Sequence, residues 1–209
     1  GDRRMKVRPI ADLTAALGAC GCSIAHLESP TSLPLRVDST GFRGGRITLS
    51  GKVSSQFVSS VLISAPYALE AVELILPEPP VSQSYIDMTI SLMAAFGVHV
   101  ERGAGAERNT VYRVPRSCYV NPMLHDVECD ASSATYPLAS AAITGGTVTT
   151  EAVGSASLQG AAGFGKLCAD MGATMAQTAT ATTVTGPPTA SARLKAVDVD
   201  MEPMTDAFM

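Results

Sequence analysis

Asp87-Met88-Thr89-Ile90-Ser91-Leu92-Met93, followed closely by Phe96-Gly97-Val98-His99-Val100, reads as an amphipathic helix, a glycine cap and a strand. The same order occurs twice more. Asp12-Leu13-Thr14-Ala15-Ala16-Leu17 leads to Cys20-Gly21-Cys22-Ser23-Ile24, and Gly165-Lys166-Leu167-Cys168-Ala169 leads to Met171-Gly172-Ala173-Thr174-Met175. The glycines at 21, 97 and 172 lie 76 and 75 residues apart. Glycine suits a helix end because it takes a positive φ without steric cost.

A second element recurs at nearly the same offset. Ser54-Ser55-Gln56-Phe57 opens one apolar segment, and Ser132-Ser133-Ala134-Thr135 opens another 78 residues on. Phe57, Val58, Val61, Leu62 and Ala65 follow helical spacing, with Ser54 as N-cap and Pro66 as the stop. The second segment holds Pro137, a residue expected only in or near a first helical turn. Strand candidates lie between the helices: Arg46 to Leu49, Val72 to Leu76, Val111 to Val114, Thr147 to Thr150, and Thr182 to Thr185. Two helices and several strands recurring at this long period predict an α/β fold of α+β repeats, built from βαβαββ units rather than solenoid repeats.

Composition narrows the function. The chain has 209 residues, 46% of them hydrophobic, and a net charge of −4 with the two signs mixed along its length. It carries no Lys/Arg block, so it has no electrostatic footprint for nucleic acid. No apolar run approaches ~18 residues, so no transmembrane helix is expected. Gly1-Asp2-Arg3-Arg4-Met5-Lys6 has no apolar core, so no signal peptide is expected. The five cysteines, Cys20, Cys22, Cys118, Cys129 and Cys168, are odd in number and irregular in spacing, which fits a reducing, cytoplasmic compartment. Cys20-Gly21-Cys22 lacks a second ligand pair, so zinc is not expected. His26, His99 and His125 are isolated.

Four places carry candidate chemistry. Gly51-Lys52-Val53-Ser54-Ser55-Gln56 puts hydroxyls and an amide at a helix start, where free N–H groups and the helix dipole favour an anion; the same residues also serve plain capping. Arg3, Arg4, Lys6 and Arg8 crowd ahead of Pro9, read as the first residue of the first helix. Cations there oppose the dipole unless an anion sits among them. Ser82-Gln83-Ser84-Tyr85-Ile86-Asp87 adds hydroxyls at another helix start, with Ser84 as cap and Asp87 as its capping-box partner. Asp198, Asp200, Glu202 and Asp206 form an acidic stretch, suited to a general base, a metal or a solvated turn.

These segments together resemble the EPSP synthase (3-phosphoshikimate 1-carboxyvinyltransferase) family. The resemblance rests on Arg4 to Ile10, Val53 to Phe57, Val81 to Thr89, Asp130 to Ala139, Ser157 to Gly160, and Asp200 to Phe208, in family order along the whole chain. The last motif is most similar to the synthase domain of the fungal multifunctional shikimate-pathway polypeptide. The family fold is two lobes of three βαβαββ units each, with the site between them. By resemblance, residues 1–127 form most of one lobe and 128–209 part of the second, the crossing falling near Glu128-Cys129-Asp130.

The resemblance implies roles residue by residue. Arg8 matches the arginine that binds phosphoenolpyruvate. Ser54, Ser55 and Gln56 match residues holding shikimate 3-phosphate, and Gln56 also reaches the enolpyruvyl group. Ser82 and Tyr85 match further shikimate 3-phosphate contacts. Asp206 matches the carboxylate on the attacking hydroxyl. The implied reaction moves the enolpyruvyl group to the 5-hydroxyl of shikimate 3-phosphate and needs no metal or organic cofactor. Covalently linked shikimate-pathway domains are the implied partners. Ala161 stands where the family usually has aspartate, and Ser84 where proline is common. The family's early lysine and Asn-Ala-Gly-Thr stretch would precede Gly1, and its later glutamate, arginines and lysine would follow Met209. The chain by itself is therefore expected to be inactive. Two other readings stay open: the sister enolpyruvyl transferase acting on a UDP-sugar, and a non-catalytic truncated copy.

Overall fold

A computed structural model describes residues 2–38, 41–188 and 193–208. The chain divides into two units, Gly1–Pro122 and Met123–Met209. The first holds, in order, α1 (Arg3–Val7), α2 (Ala11–Ala19), β1 (Ile24–His26), β2 (Leu35–Val37), β3 (Gly45–Thr48), α3 (Ser55–Ser64), β4 (Val72–Ile75), α4 (Gln83–Ala95), β5 (Glu101–Arg102) and β6 (Val111–Val114). The second holds α5 (Ala131–Thr144), β7 (Thr147–Glu151), α6 (Phe164–Asp170), β8 (Thr174–Gln177) and β9 (Ala181–Thr185).

The run β3-α3-β4-α4-β5-β6 is the expected βαβαββ unit. Its sheet order is β3-β4-β6-β5, with β3 and β4 parallel and the other two pairings antiparallel. The second unit repeats the later part of that plan. Its sheet order β7-β9-β8, all antiparallel, corresponds to β4-β6-β5. The hairpin β1-β2 is antiparallel and follows a glycine-capped helix, as β5-β6 does, but forms its own two-stranded sheet among the described residues.

The three glycines play the same part. After α4, the Gly97 N–H donates to the Ala94 carbonyl at 3.0 Å and the Val98 N–H to the Met93 carbonyl at 2.9 Å. After α2, Gly21 and Cys22 donate to Gly18 and Leu17 at 3.0 and 3.1 Å; after α6, Gly172 and Ala173 donate to Ala169 and Cys168 at 2.9 and 3.0 Å. Each is a Schellman ending, with glycine φ of 90°, 84° and 111° at 21, 97 and 172. A side chain would be strained there.

The first core lies between sheet and helices. Ile47, Leu74, Tyr112 and Val114 face Val58, Val61 and Leu62 of α3 and Ile86 and Met93 of α4, all at 2% exposure or less. Each aliphatic group so buried contributes about 1.5–3 kcal/mol. The second unit packs Leu138, Phe164, Cys168 and Val184 together. Among the described residues, no helix is long and apolar enough to cross a membrane.

Three local expectations differ from the structure. Pro9 does not begin α2, which starts at Ala11 with Ile10 as N-cap. A separate turn of helix, α1, takes up Arg3, Arg4 and Lys6. Asp2 caps it by accepting the Met5 N–H at 2.8 Å, and Arg4 and Lys6 fall in its last turn, the favourable end of the dipole. Ser84 is not the cap of α4, whose N-cap is Ser82. Asp87 instead accepts from the Gln83 side chain at 2.8 Å. Pro137 sits deep within α5 rather than in its first turn. Asp130 carries that helix start, accepting from the Ser132 N–H at 3.0 Å and the Ser133 hydroxyl at 2.5 Å. Those bonds hold the Asp130 carboxyl below its ordinary value, the Ser133 bond foremost.

Candidate active site

Parallel strands β3 and β4 each run directly into a helix, so α3 and α4 both open at the carboxyl edge of the sheet. Open α/β sheets hold ligands at that edge. The helices lie side by side, with the Ser59 and Thr89 hydroxyls 2.8 Å apart. Ser54 caps α3 in extended backbone, its hydroxyl accepting the Gln56 N–H at 3.2 Å. Ser55 is buried and Gln56 exposed. Ser82 and Tyr85, both half-buried, occupy the start of α4.

Ser82 has φ 51° and ψ 54°, a left-handed conformation that costs a serine roughly 1–2 kcal/mol. Such strain persists where neighbours fix it. Upstream, the Val81 N–H donates to the Gly51 carbonyl at 3.1 Å. Glu78 ties the same two loops, accepting the Ser50 hydroxyl at 3.1 Å and pairing with Lys52 at 3.2 Å. Thus Ser54, Ser55 and Gln56 are brought to one edge with Ser82 and Tyr85.

Arg8 is exposed and follows α1 as its C-cap. The next residue, Pro9, shares a cavity of about 280 Å³ with Asp12, Thr31, Val53 and Phe57. The cation therefore lies in a segment adjoining the start of α3. Asp206 belongs to the second unit, exposed in the 3-10 turn Glu202–Ala207. Met204 and Ala207 anchor that turn on the unit's core. Among the described residues, no group of three or more His, Cys, Asp or Glu is arranged to hold a metal ion.

Sequence reasoning missed several supporting groups. Glu78 joins residues 26 and 28 positions away, a link with no sequence signal. Gln159 braces the start of α5. Its Oε1 accepts the Ala131 N–H at 2.8 Å and its Nε2 donates to the Cys129 carbonyl at 2.7 Å. It thereby satisfies a free donor in the first turn of that helix. Asp87 also binds Arg102, at 2.5 Å. The Gln83–Asp87 spacing of four was a legible signal for one of its two bonds.

The EPSP synthase (3-phosphoshikimate 1-carboxyvinyltransferase) family model matches residues 1–209. The chain belongs to the EPSP synthase family. It is 54% identical over 217 residues to a pentafunctional AROM polypeptide of Mycosarcoma maydis, covering 100% of this chain and 12% of that protein. A second such polypeptide, from Malassezia globosa, is 54% identical over 213 residues, covering 100% and 13%. The chain thus spans only about an eighth of the length of these curated relatives.

Solved structures agree on the fold. EPSP synthase from Acinetobacter baumannii matches with TM-score 0.70 at 22% identity, over 100% of this chain and 47% of that one. The enolpyruvyl transferase NikO from Streptomyces tendae matches with TM-score 0.62 at 14% identity, over 84% and 42%. The mixed helix-and-strand repeats are therefore those of the EPSP synthase, or enolpyruvyl transferase, fold.

Proposed function

We propose that this chain supplies part of an active site that transfers the enolpyruvyl group of phosphoenolpyruvate to the 5-hydroxyl of shikimate 3-phosphate, working within a longer polypeptide. Family membership supports the reaction class. The observation that carries the site reading is the pairing of the α3 and α4 starts, bearing Ser54, Ser55, Gln56, Ser82 and Tyr85, at one sheet edge. Two adjacent helix starts offer backbone N–H groups and hydroxyls to a phosphorylated polyol.

In this reading Ser54, Ser55, Ser82 and Tyr85 hold shikimate 3-phosphate. Gln56 bridges from that substrate to the enolpyruvyl group, and Arg8 binds phosphoenolpyruvate. Asp206 takes the proton of the 5-hydroxyl as its oxygen bonds to C2 of phosphoenolpyruvate, while C3 gains a proton. The C2–phosphate oxygen bond then breaks, phosphate leaves with that electron pair, and C3 loses a proton to restore the double bond. Cationic and N–H donors stabilise the charged intermediate. Residues 1–127 and 128–209 contribute to separate lobes, and further shikimate-pathway domains are covalently linked partners.

The test is phosphate release by the longer polypeptide with each substrate varied. Dependence on both substrates supports the reading. Activity with a UDP-sugar in place of shikimate 3-phosphate, or no turnover with either acceptor, refutes it.

A further inference from the structure

Beyond the candidate contacts, the first turn of α4 is held by a polar network drawn from three elements. Asp87 Oδ1 accepts from Gln83 Nε2 at 2.8 Å and from Arg102 Nη2 at 2.5 Å. The Tyr112 hydroxyl lies 3.3 Å from Gln83 Oε1 and 3.1 Å from the Asn109 carbonyl, sharing its proton between them. The Arg102 guanidinium lies over the Tyr112 ring, 5.9 Å from its centroid. Tyr112 is fully buried, so its polar tip must be satisfied locally. Asp87 is the junction: one carboxylate oxygen joins α4 to itself through Gln83 and to β5 through Arg102.

The residue immediately before Gln83 is the left-handed Ser82. Its backbone is therefore fixed from both sides. Upstream the Val81 N–H donates to the Gly51 carbonyl; downstream the Ser82 carbonyl accepts the Tyr85 N–H at 3.1 Å, in a turn whose first residue, Gln83, is tied by its side chain to Asp87. Ile86 anchors this same turn on the core and Met93 the helix body, and the polar network adds the side-chain ties of Gln83 to Asp87 and Tyr112. We propose that Asp87 is a positioning residue, which keeps Ser82 in its left-handed conformation by holding Gln83 and Arg102 together. This rests on the reading of Ser82 and Tyr85 as contacts to the phosphorylated acceptor.

The longer polypeptide is assayed for phosphate release at varied shikimate 3-phosphate, as wild type, Asp87→Asn, Ser82→Ala and the double variant. Each single change raises KM for shikimate 3-phosphate about tenfold with kcat within about twofold, and the double is no worse than the worse single. An unchanged KM in Asp87→Asn, with only melting temperature or kcat lowered, overturns the proposal by making Asp87 merely structural. Multiplying effects in the double variant overturn it as well, because Asp87 would then act independently of Ser82. If Asp87→Asn does not fold, Arg102→Lys, which keeps the charge and loses the planar fork, takes its place with the same outcomes. If Ser82→Ala itself leaves KM unchanged, the acceptor-site reading fails and the proposal falls with it. If only the Asp87 variant leaves KM unchanged, the proposal fails alone.

Discussion

The Gly51 carbonyl accepts the Val81 backbone N–H at 3.1 Å, so the loops that launch α3 and α4 are one hydrogen-bonded body. The approach is close enough that a Cβ at Gly51 would stand 2.5 Å from Pro80 Cβ and 2.9 Å from its Cα. Gly51→Ala must push the loops apart. We expect a loss of about 1–3 kcal/mol, as for overpacking, together with weaker shikimate 3-phosphate binding. Urea denaturation and titration calorimetry read the two effects.

Asp130 governs the start of α5. Asp130→Ala removes the acceptor for Ser132 N–H and the Ser133 hydroxyl, at an expected cost of about 0.5–2 kcal/mol. The carboxyl is held below its ordinary value of 3.8. Its contribution is therefore complete above that value and is lost as pH falls through the lower folded value. The stability difference between wild type and Asp130→Ala should be flat from neutral pH down to about 5 and shrink in more acid solution.

Pro137 interrupts α5 at a position where an N–H would reach the Ser133 carbonyl. Pro137→Ala supplies that donor and removes the ring clash. Proline in a helix interior costs up to ~3 kcal/mol relative to alanine, and α5 absorbs part of this, so a gain of about 1–3 kcal/mol is expected. The urea midpoint should rise; a fall means that the ring's packing outweighs the missing bond.

The cysteines should react in an order set by burial. Cys118 and Cys129 are exposed, Cys22 half-buried, and Cys20 and Cys168 buried. Burial pushes the Cys20 and Cys168 thiols up, with Cys22 adding to the effect at Cys20. Iodoacetamide at neutral pH, read by mass spectrometry, should modify Cys118 and Cys129 first and Cys20 and Cys168 only after unfolding.

The repeat was legible because its signals are local. A glycine after each helix needs only its own backbone to act as a Schellman cap, and Val58, Val61 and Leu62 face inward by spacing alone. What escaped was decided at a distance. Ser84 resembled a cap until Gln83 and Arg102 claimed Asp87. Pro137 was read from its isolated preference, yet α5 continues past it because Leu138, Ala141 and Ala142 are buried beyond. Pro9 misled because it falls between two helices, after α1 with its Asp2 cap and before Ile10, the N-cap of α2. The residues of the candidate site were legible as motifs. That Ser54 and Ser82 begin adjacent helices follows from the parallel pairing of β3 with β4, which no single segment reveals.

Phosphate release by the longer polypeptide, compared between wild type, Arg8→Ala and Asp206→Ala, decides whether these two residues belong to the transfer site. Release by the wild type should require both phosphoenolpyruvate and shikimate 3-phosphate. Asp206→Ala should lower kcat by about 100-fold or more, as loss of a general base does. Arg8→Ala should raise KM for phosphoenolpyruvate by at least about tenfold, as loss of a charge-assisted anion contact does. Full activity persisting in both variants would contradict their placement in that site.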